Sequence, residues 1–237
     1  MEEKEERLQK FIASTGLCSR RKADELIAEG KIKVNGEVVK ELGTKVKLDD
    51  IVEFKGKILK KEEFEYYIIN KPIGYITTNI EQFNRPKVVD LIKTDKRLVS
   101  AGRLDMYTSG ALIFSNDGDF INKITHPSNN ITKTYIVKIE KKISKTNLDK
   151  LQSGVYLDDG YKTRKAKVKL LEYNKEKQYS KVEITLSEGK NRQVRRMFQS
   201  LNLKIISLHR SMIGKIDIND LKSGEYRHLK IDEIKYI

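Results

Sequence analysis

Apolar positions divide the chain into two kinds of pattern, and the change falls near residue 60. Leu8, Phe11 and Ile12 recur at helical spacing, and Gly16 suits the left-handed residue that ends a helix. Ser19 is placed to cap a second helix whose inner face is Ala23, Leu26 and Ile27, with Gly30 closing it. In KIKVNGEVV, the pair Asn35-Gly36 between β-type residues is a strong hairpin signal. Further short strands are expected around Thr44–Leu48 and Ile51–Phe54.

From Tyr66 onward apolar runs dominate: YYIIN, ALIFS, KTYIVKI, RKAKVKLLEY, SKVEITL and LKIISL. Helical spacing covers Asp119–Thr125, Ser144–Ser153 and Asn191–Leu201. Strands outnumber helices and their order is irregular, which predicts an α+β chain. The expected organisation is a small N-terminal domain over 1–60, a charged linker over 61–65, and a domain over 66–237 built on a large mixed, mainly antiparallel β-sheet. No apolar run approaches the roughly 18 residues needed to cross a bilayer. The polar, acidic N-terminus is unlike a secretory signal, so the chain reads as a soluble, cytoplasmic protein without a membrane partner.

Charge changes this picture. The chain carries 48 Lys and Arg against 34 Asp and Glu, a formal net charge of +14. Residues 1–65 hold 15 of each sign and are neutral, so the remaining 33 basic and 19 acidic residues carry the whole excess. An excess of this size favours a polyanionic partner through counterion release and long-range attraction. The second helix adds a local irregularity. Arg20, Arg21 and Lys22 crowd its first turn, where the helix dipole prefers acids. Phosphates of a bound nucleic acid supply the missing negative charge; three cations splayed into water are the alternative.

Two stretches carry candidate chemistry. In AGRLDMYTSGALIFSNDGDF, Asp105 precedes an apolar strand in a polar, turn-forming segment. A carboxylate there serves as a nucleophile, a general base or a structural turn residue. In ITLSEGKNRQVRRMFQSL, Val194, Met197, Phe198 and Leu201 share one helical face, with Arg192, Arg195 and Arg196 opposite and Lys190 at the entry. That basic face suits phosphate contact. One cysteine, Cys18, and three scattered histidines, His126, His209 and His228, make a dedicated metal site improbable.

The string RLQKFIASTGLCSRRKADELIAEGKIKVNGEVV resembles the alpha-L RNA-binding motif, a ribosomal-protein-like module. Beyond it, NKPIGYITT, GRLDMYTSG, SNDGDF, KTYIVKI, EGKNRQVRRM and LHRSMIG resemble the ribosomal RNA pseudouridine synthase family of the RsuA/RluB type, most closely its RluB branch, which acts on large-subunit RNA. Two departures, Ala111 and Ser115, leave the carboxylate untouched. The resemblance implies that Asp105 is the catalytic aspartate and that Arg103 helps hold a flipped nucleotide. It implies that Tyr135 packs on the target uracil, although alternation with Val137 and Ile139 also fits a core residue. Lys190 would pair with the aspartate, and Leu208 would lie near the active site, although its pattern is that of a buried strand residue. Uridine isomerisation oxidises nothing and imports no group, so no cofactor is implied. A single carboxylate can attack C1′ or remove the C2′ proton, and both routes stay open. The implied partner is ribosomal RNA, as a large-subunit precursor or assembly intermediate, with the protein a monomer. A small-subunit substrate and a non-enzymatic RNA-binding assembly protein are the alternatives.

Overall fold

The computed structural model describes residues 5–79 and 84–237. Cα proximity divides the chain into two compact units. The first holds residues up to Glu65 together with Thr94–Leu98 and Asn116–Gly118, and the second holds the rest. Within the first unit, Asn116 Oδ1 accepts from the Glu65 amide at 2.8 Å and Thr94 Oγ1 donates to Glu65 Oε2 at 2.7 Å.

The first unit follows the apolar pattern closely. It runs β1 (Glu6–Arg7), α1 (Leu8–Ser14), α2 (Arg20–Ala28), β2 (Ile32–Val34), β3 (Glu37–Val39), β4 (Lys45–Val46), β5 (Val52–Phe54) and β6 (Lys57–Ile58). Leu8, Ile12, Ala23, Leu26, Ile27, Ile32, Val46 and Val52 form its buried core, so the residues at helical spacing are those that pack. Ser19 caps α2 by accepting from the Lys22 amide at 3.2 Å. Asn35 and Gly36 take φ of 51° and 85°, the primed turn that matches strand twist. The Asn35 side chain also accepts from the Ile51 amide at 2.9 Å, which sets β5 beside β2.

The second unit runs β7 (Tyr66–Lys71), β8 (Val99–Ser100), β9 (Ser109–Ser115), α3 (Gly118–Thr125, apart from its first residue), β10 (Lys133–Glu140), α4 (Lys145–Ser153), β11 (Lys167–Asn174), β12 (Tyr179–Leu186), α5 (Gln193–Gln199), β13 (Ile205–Ile213), β14 (Ile216–Asp217), β15 (Tyr226–His228) and α6 (Ile231–Tyr236). These strands build a nine-stranded sheet of order β11-β12-β10-β13-β9-β7-β15, with β14 beside β13 and β8 beside β9. Every pairing is antiparallel except that of β13 with β9, where His209 faces Ser109 and Arg210 faces Gly110. The expected mixed, mainly antiparallel sheet is therefore present, and its parallel junction lies at the centre. One core cluster gathers Val137, Ile139, Val182, Ile184 and Leu208 under Val194, Met197 and Phe198 of α5. A second joins Ile68, Ala111, Ile113 and Ile213 to Phe120 and Ile124 of α3.

The expected helix over 191–201 is shorter than its periodicity suggests. Arg192 takes φ of 48°, so α5 starts only at Gln193. The wheel that grouped three arginines on one face therefore does not hold for Arg192, which leaves the helix axis.

The parallel junction depends on Gly110. Its φ is 112°, and a β-carbon there would lie 2.6 Å from the Arg210 amide nitrogen and nearer still to the Arg210 carbonyl oxygen. Gly110→Ala adds backbone strain to a steric collision that no side-chain rotation relieves. The expected loss is about 3 kcal/mol, or roughly 6–12 °C in Tm for a unit of this size. Thermal unfolding followed by circular dichroism measures it, and a Tm within about 2 °C of wild type counts against this account of the junction.

Candidate active site

The site is built on the turn that leads into β9. Its backbone is held from both sides. Thr77 Oγ1 donates to the Leu104 carbonyl at 3.0 Å and accepts from the Leu104 amide at 3.3 Å. The Gly74 amide donates to Met106 O at 2.9 Å, and the Thr108 amide closes the turn on Asp105 O at 3.0 Å. Beneath it lies Lys71, fully buried at the end of β7. Its Nζ donates to the carbonyls of Pro72 at 2.9 Å, Met106 at 3.5 Å and Thr108 at 2.9 Å. Three acceptors match the three donors of an ammonium. Burial pushes Lys71 down to about 8, opposed by the charge of Asp105 and assisted by that of Arg210. At neutral pH it stays protonated and keeps all three bonds.

Asp105 is one-third exposed at this turn. Arg192 Nη1 donates to its Oδ2 at 3.3 Å, and Arg195 Nε lies 3.8 Å from the same oxygen. Oδ1 accepts no hydrogen bond among the described residues, which leaves lone pairs available for chemistry. Arg195 is itself fixed, donating from Nη2 to Tyr107 O at 2.7 Å and Thr108 Oγ1 at 3.1 Å. Burial and the neighbouring Arg192 lower the Arg195 pKa, which Asp105 counters. Arg192 is half exposed, and an ion pair of that kind contributes about 0–1 kcal/mol, so an anionic ligand can displace it easily.

These residues open on a cleft of about 490 Å³, within the usual range for small-ligand sites. Asp105, Arg103, Tyr135, Lys190, Leu208, Arg192 and Arg195 all line it, so residues scattered over more than a hundred positions converge on one cavity. Tyr135 is half-buried on β10, at once packed against the core and facing the cleft, and Leu208 is its buried floor. Arg103 is exposed at the rim.

Three placements differ from expectation. Asp105 finds its cations in Arg192 and Arg195. Lys190 instead sets its Nζ 4.8 Å above the Tyr161 ring centroid. That position follows from the loop: Glu188 accepts from Tyr161 Oη at 2.6 Å, from the Arg164 amide at 3.0 Å and from Gln193 Nε2. Gln193 Oε1 in turn accepts from the Lys190 amide at 2.9 Å. Arg196, grouped with its neighbours by periodicity, turns to Asp159 at 2.7 Å and to Asp158, so its charge is already answered. Arg20, Arg21 and Lys22 are exposed on α2 in the first unit, with Lys22 paired to Glu25 at 2.6 Å.

Sequence reasoning missed Lys71 and Arg210. A signal existed for both. Lys71 ends an apolar run, and Arg210 alternates with Leu208 and Met212, which places a guanidinium where a strand residue faces inward. Among the described residues no cluster of His, Cys, Asp and Glu is arranged to hold a metal ion, and no helix is long and apolar enough to cross a membrane.

The profile described as RNA pseudouridylate synthase matches residues 65–200, and the S4 domain profile matches residues 6–52. The chain is 45% identical over 231 residues to the ribosomal large subunit pseudouridine synthase B of Bacillus subtilis (strain 168), covering 97% of this chain and 94% of that one. It is 35% identical to the dual-specificity RNA pseudouridine synthase RluF of Escherichia coli (strain K12), covering 96% of this chain and 77% of the relative. A crystal structure of a pseudouridylate synthase superposes with a TM-score of 0.70 at 33% identity, over 97% of this chain and 98% of the other.

The buried ammonium has a measurable signature. Lys71 titrates near 8 in the folded protein and near 10.4 when unfolded, so between these values the unfolded chain binds more protons. Folding stability therefore gains with rising pH across that window through this residue. Lys71→Met removes the gain, and the wild-type minus variant stability should rise by roughly 1–3 kcal/mol from about pH 8 to about pH 10.5. Urea unfolding of both proteins at several pH values measures the difference; a flat difference excludes the depressed value.

Proposed function

This chain belongs to the RNA pseudouridylate synthase family, and from that premise we propose that it isomerises a uridine of large-subunit ribosomal RNA with Asp105 as the catalytic carboxylate. The observation that carries the site assignment is the setting of Asp105. It is one-third exposed in a cleft of nucleotide size, its backbone is pinned on both sides, and Oδ1 is unengaged. Oδ1 is the atom that bonds to C1′ or removes the C2′ proton. Arg192 and Arg195 hold Oδ2, which orients the carboxylate toward the cleft. A base buried in a helix cannot reach such a cleft, so the target nucleotide flips out, with Tyr135 as the ring it stacks on and Leu208 beneath. Arg103 at the rim holds the displaced strand. Lys190, lodged over Tyr161, is a substrate contact on the cleft lip.

The large-subunit preference rests on full-length similarity at 45% identity to an enzyme named for that ribosomal particle. Residues 1–60 serve as the RNA-docking domain, joined through 61–65 to a catalytic domain over 66–237. The protein acts in the cytoplasm as a monomer, and it requires no cofactor.

Pseudouridine mapping in cells that lack the protein tests the assignment. A large-subunit site should lose its pseudouridine, regain it with the wild-type protein, and stay unmodified with Asp105→Asn, although that variant still binds the RNA within a few-fold. Loss confined to small-subunit RNA would instead favour that substrate. Restoration by Asp105→Asn would remove the residue from the chemistry.

Arg20, Arg21 and Lys22 on α2 are the proposed phosphate contacts of the first unit. Replacing all three with Gln should weaken RNA binding and reduce the slope of log K against log salt by about 0.7–0.9 per lost contact. Filter binding between roughly 50 and 300 mM salt reads the slope, and an unchanged value would show that this face does not touch phosphate.

A further inference from the structure

Arg210 is a buried guanidinium with no counter-charge among the described residues. Only 4% of the residue is exposed. Its Nε donates to Ala111 O at 2.7 Å across the parallel junction, which fixes the plane of the group. Its Nη2 is closed off and finds no hydrogen-bond acceptor. No carboxylate pairs with it among the described residues. A buried charge in this condition is costly, and such a group persists where a ligand or a reaction supplies what the protein withholds.

Its position says what that is. Register places Arg210 directly opposite Tyr135 across β10 and β13, so the two side chains leave the same face of the sheet as neighbours. Both line the cleft that holds Asp105. Lys133 lines it too, its Nζ donating to Ile131 O at 2.6 Å. Burial, assisted by the charge of Arg210, pushes Lys71 and Lys133 each down to about 8. The field of Arg210 therefore spans this end of the cleft. Among the described residues two carboxylates lie on the cleft wall, and Glu188 is consumed by Tyr161, Gln193 and Arg164, which leaves Asp105 against a surplus of cations.

Uridine isomerisation creates a negative charge at this place. When C1′ bonds to the carboxylate, or C2′ gives up its proton to it, the C1′–N1 electron pair departs with the base. The base is then a uracil anion, with charge spread over N1 and the carbonyl oxygens. It stays so until C5 bonds to C1′, as the C1′–carboxylate bond breaks or C2′ takes its proton back from the carboxylic acid; C5 then gives up its proton and N1 gains one. Nothing is oxidised or reduced. We propose that Arg210 stabilises this departing uracil anion, with the ring on Tyr135 and its carbonyl edge toward the guanidinium. This rests on the uridine-isomerising reading above. A fixed, buried charge acts without reorganising at the moment of bond cleavage. Arg210 thus bears on the cleavage step and only weakly on binding the RNA.

Leaving-group chemistry tests it. Single-turnover loss of the N-linked nucleoside is followed in transcripts carrying uridine or 5-fluorouridine at the target. Fluorine makes the departing ring a weaker base, so cleavage depends less on outside stabilisation. With uridine, Arg210→Gln should slow cleavage about 100–1000-fold, the magnitude seen when one such donor is removed. With 5-fluorouridine the loss should be at least tenfold smaller, and RNA affinity should stay within about threefold. Arg210→Lys keeps a charge in the same pocket; it should show the same substrate difference at smaller size and serves if the Gln variant fails to fold. Equal losses on both substrates, or a loss lying wholly in RNA affinity, would overturn the inference while leaving the functional reading intact. A wild-type protein that forms no pseudouridine in any ribosomal transcript would overturn the reading and this inference with it.

Discussion

A lysine shut away from water keeps its proton only where acceptors take the place of solvent, and Lys71 meets that condition through three backbone carbonyls. Two of these, Met106 and Thr108, belong to the turn that carries Asp105. The ammonium therefore ties the end of β7 to the entry of β9, and the carboxylate inherits its position from that tie. Thr77 and Gly74 add bonds from a second direction, so neither neighbour of Asp105 is free to drift. A site held in this way has its geometry before any ligand arrives, which is the condition under which electrostatics can act on a transition state.

The same economy of carboxylates governs the rest of the cleft. Lys71, Lys133, Arg192, Arg195 and Arg210 all lie on or beneath its wall, and the aspartate answers only part of their charge. Such a surplus destabilises the empty cavity and favours occupants with negative charge. The excess of the whole chain follows the same division. The first unit is close to neutral and presents its cations as a local cluster on α2, whereas the second carries the net charge near the reacting groups.

Arg196 shows why counting cations in a motif overstates what they offer a ligand. Its guanidinium is answered by Asp158 and Asp159, residues some forty positions away. Its neighbours Arg192 and Arg195 reach the Asp105 carboxylate instead, because Arg192 steps into the left-handed region before α5 begins. Three arginines within five positions thereby acquire two unrelated roles.

The sequence alone determined the elements and the chemistry on offer. Helical spacing at Leu8, Ile12, Ala23, Leu26 and Ile27, the Asn35-Gly36 turn and the alternating runs after Tyr66 are local properties, enforced by backbone geometry and by the need to bury one face. Asp105 stood out as a carboxylate in a polar turn, whereas Tyr135 and Leu208 read locally as core residues and were singled out only through the family resemblance. Which cation meets Asp105 was not legible, because ion pairs depend on distances between segments far apart in the chain. Tertiary structure alone assigned Arg192 and Arg195 to the carboxylate, lodged Lys190 over Tyr161 and left Arg210 buried with no counter-charge among the described residues. Periodicity states which way a side chain faces; only the closed sheet, with its parallel junction at Gly110, states what it meets there.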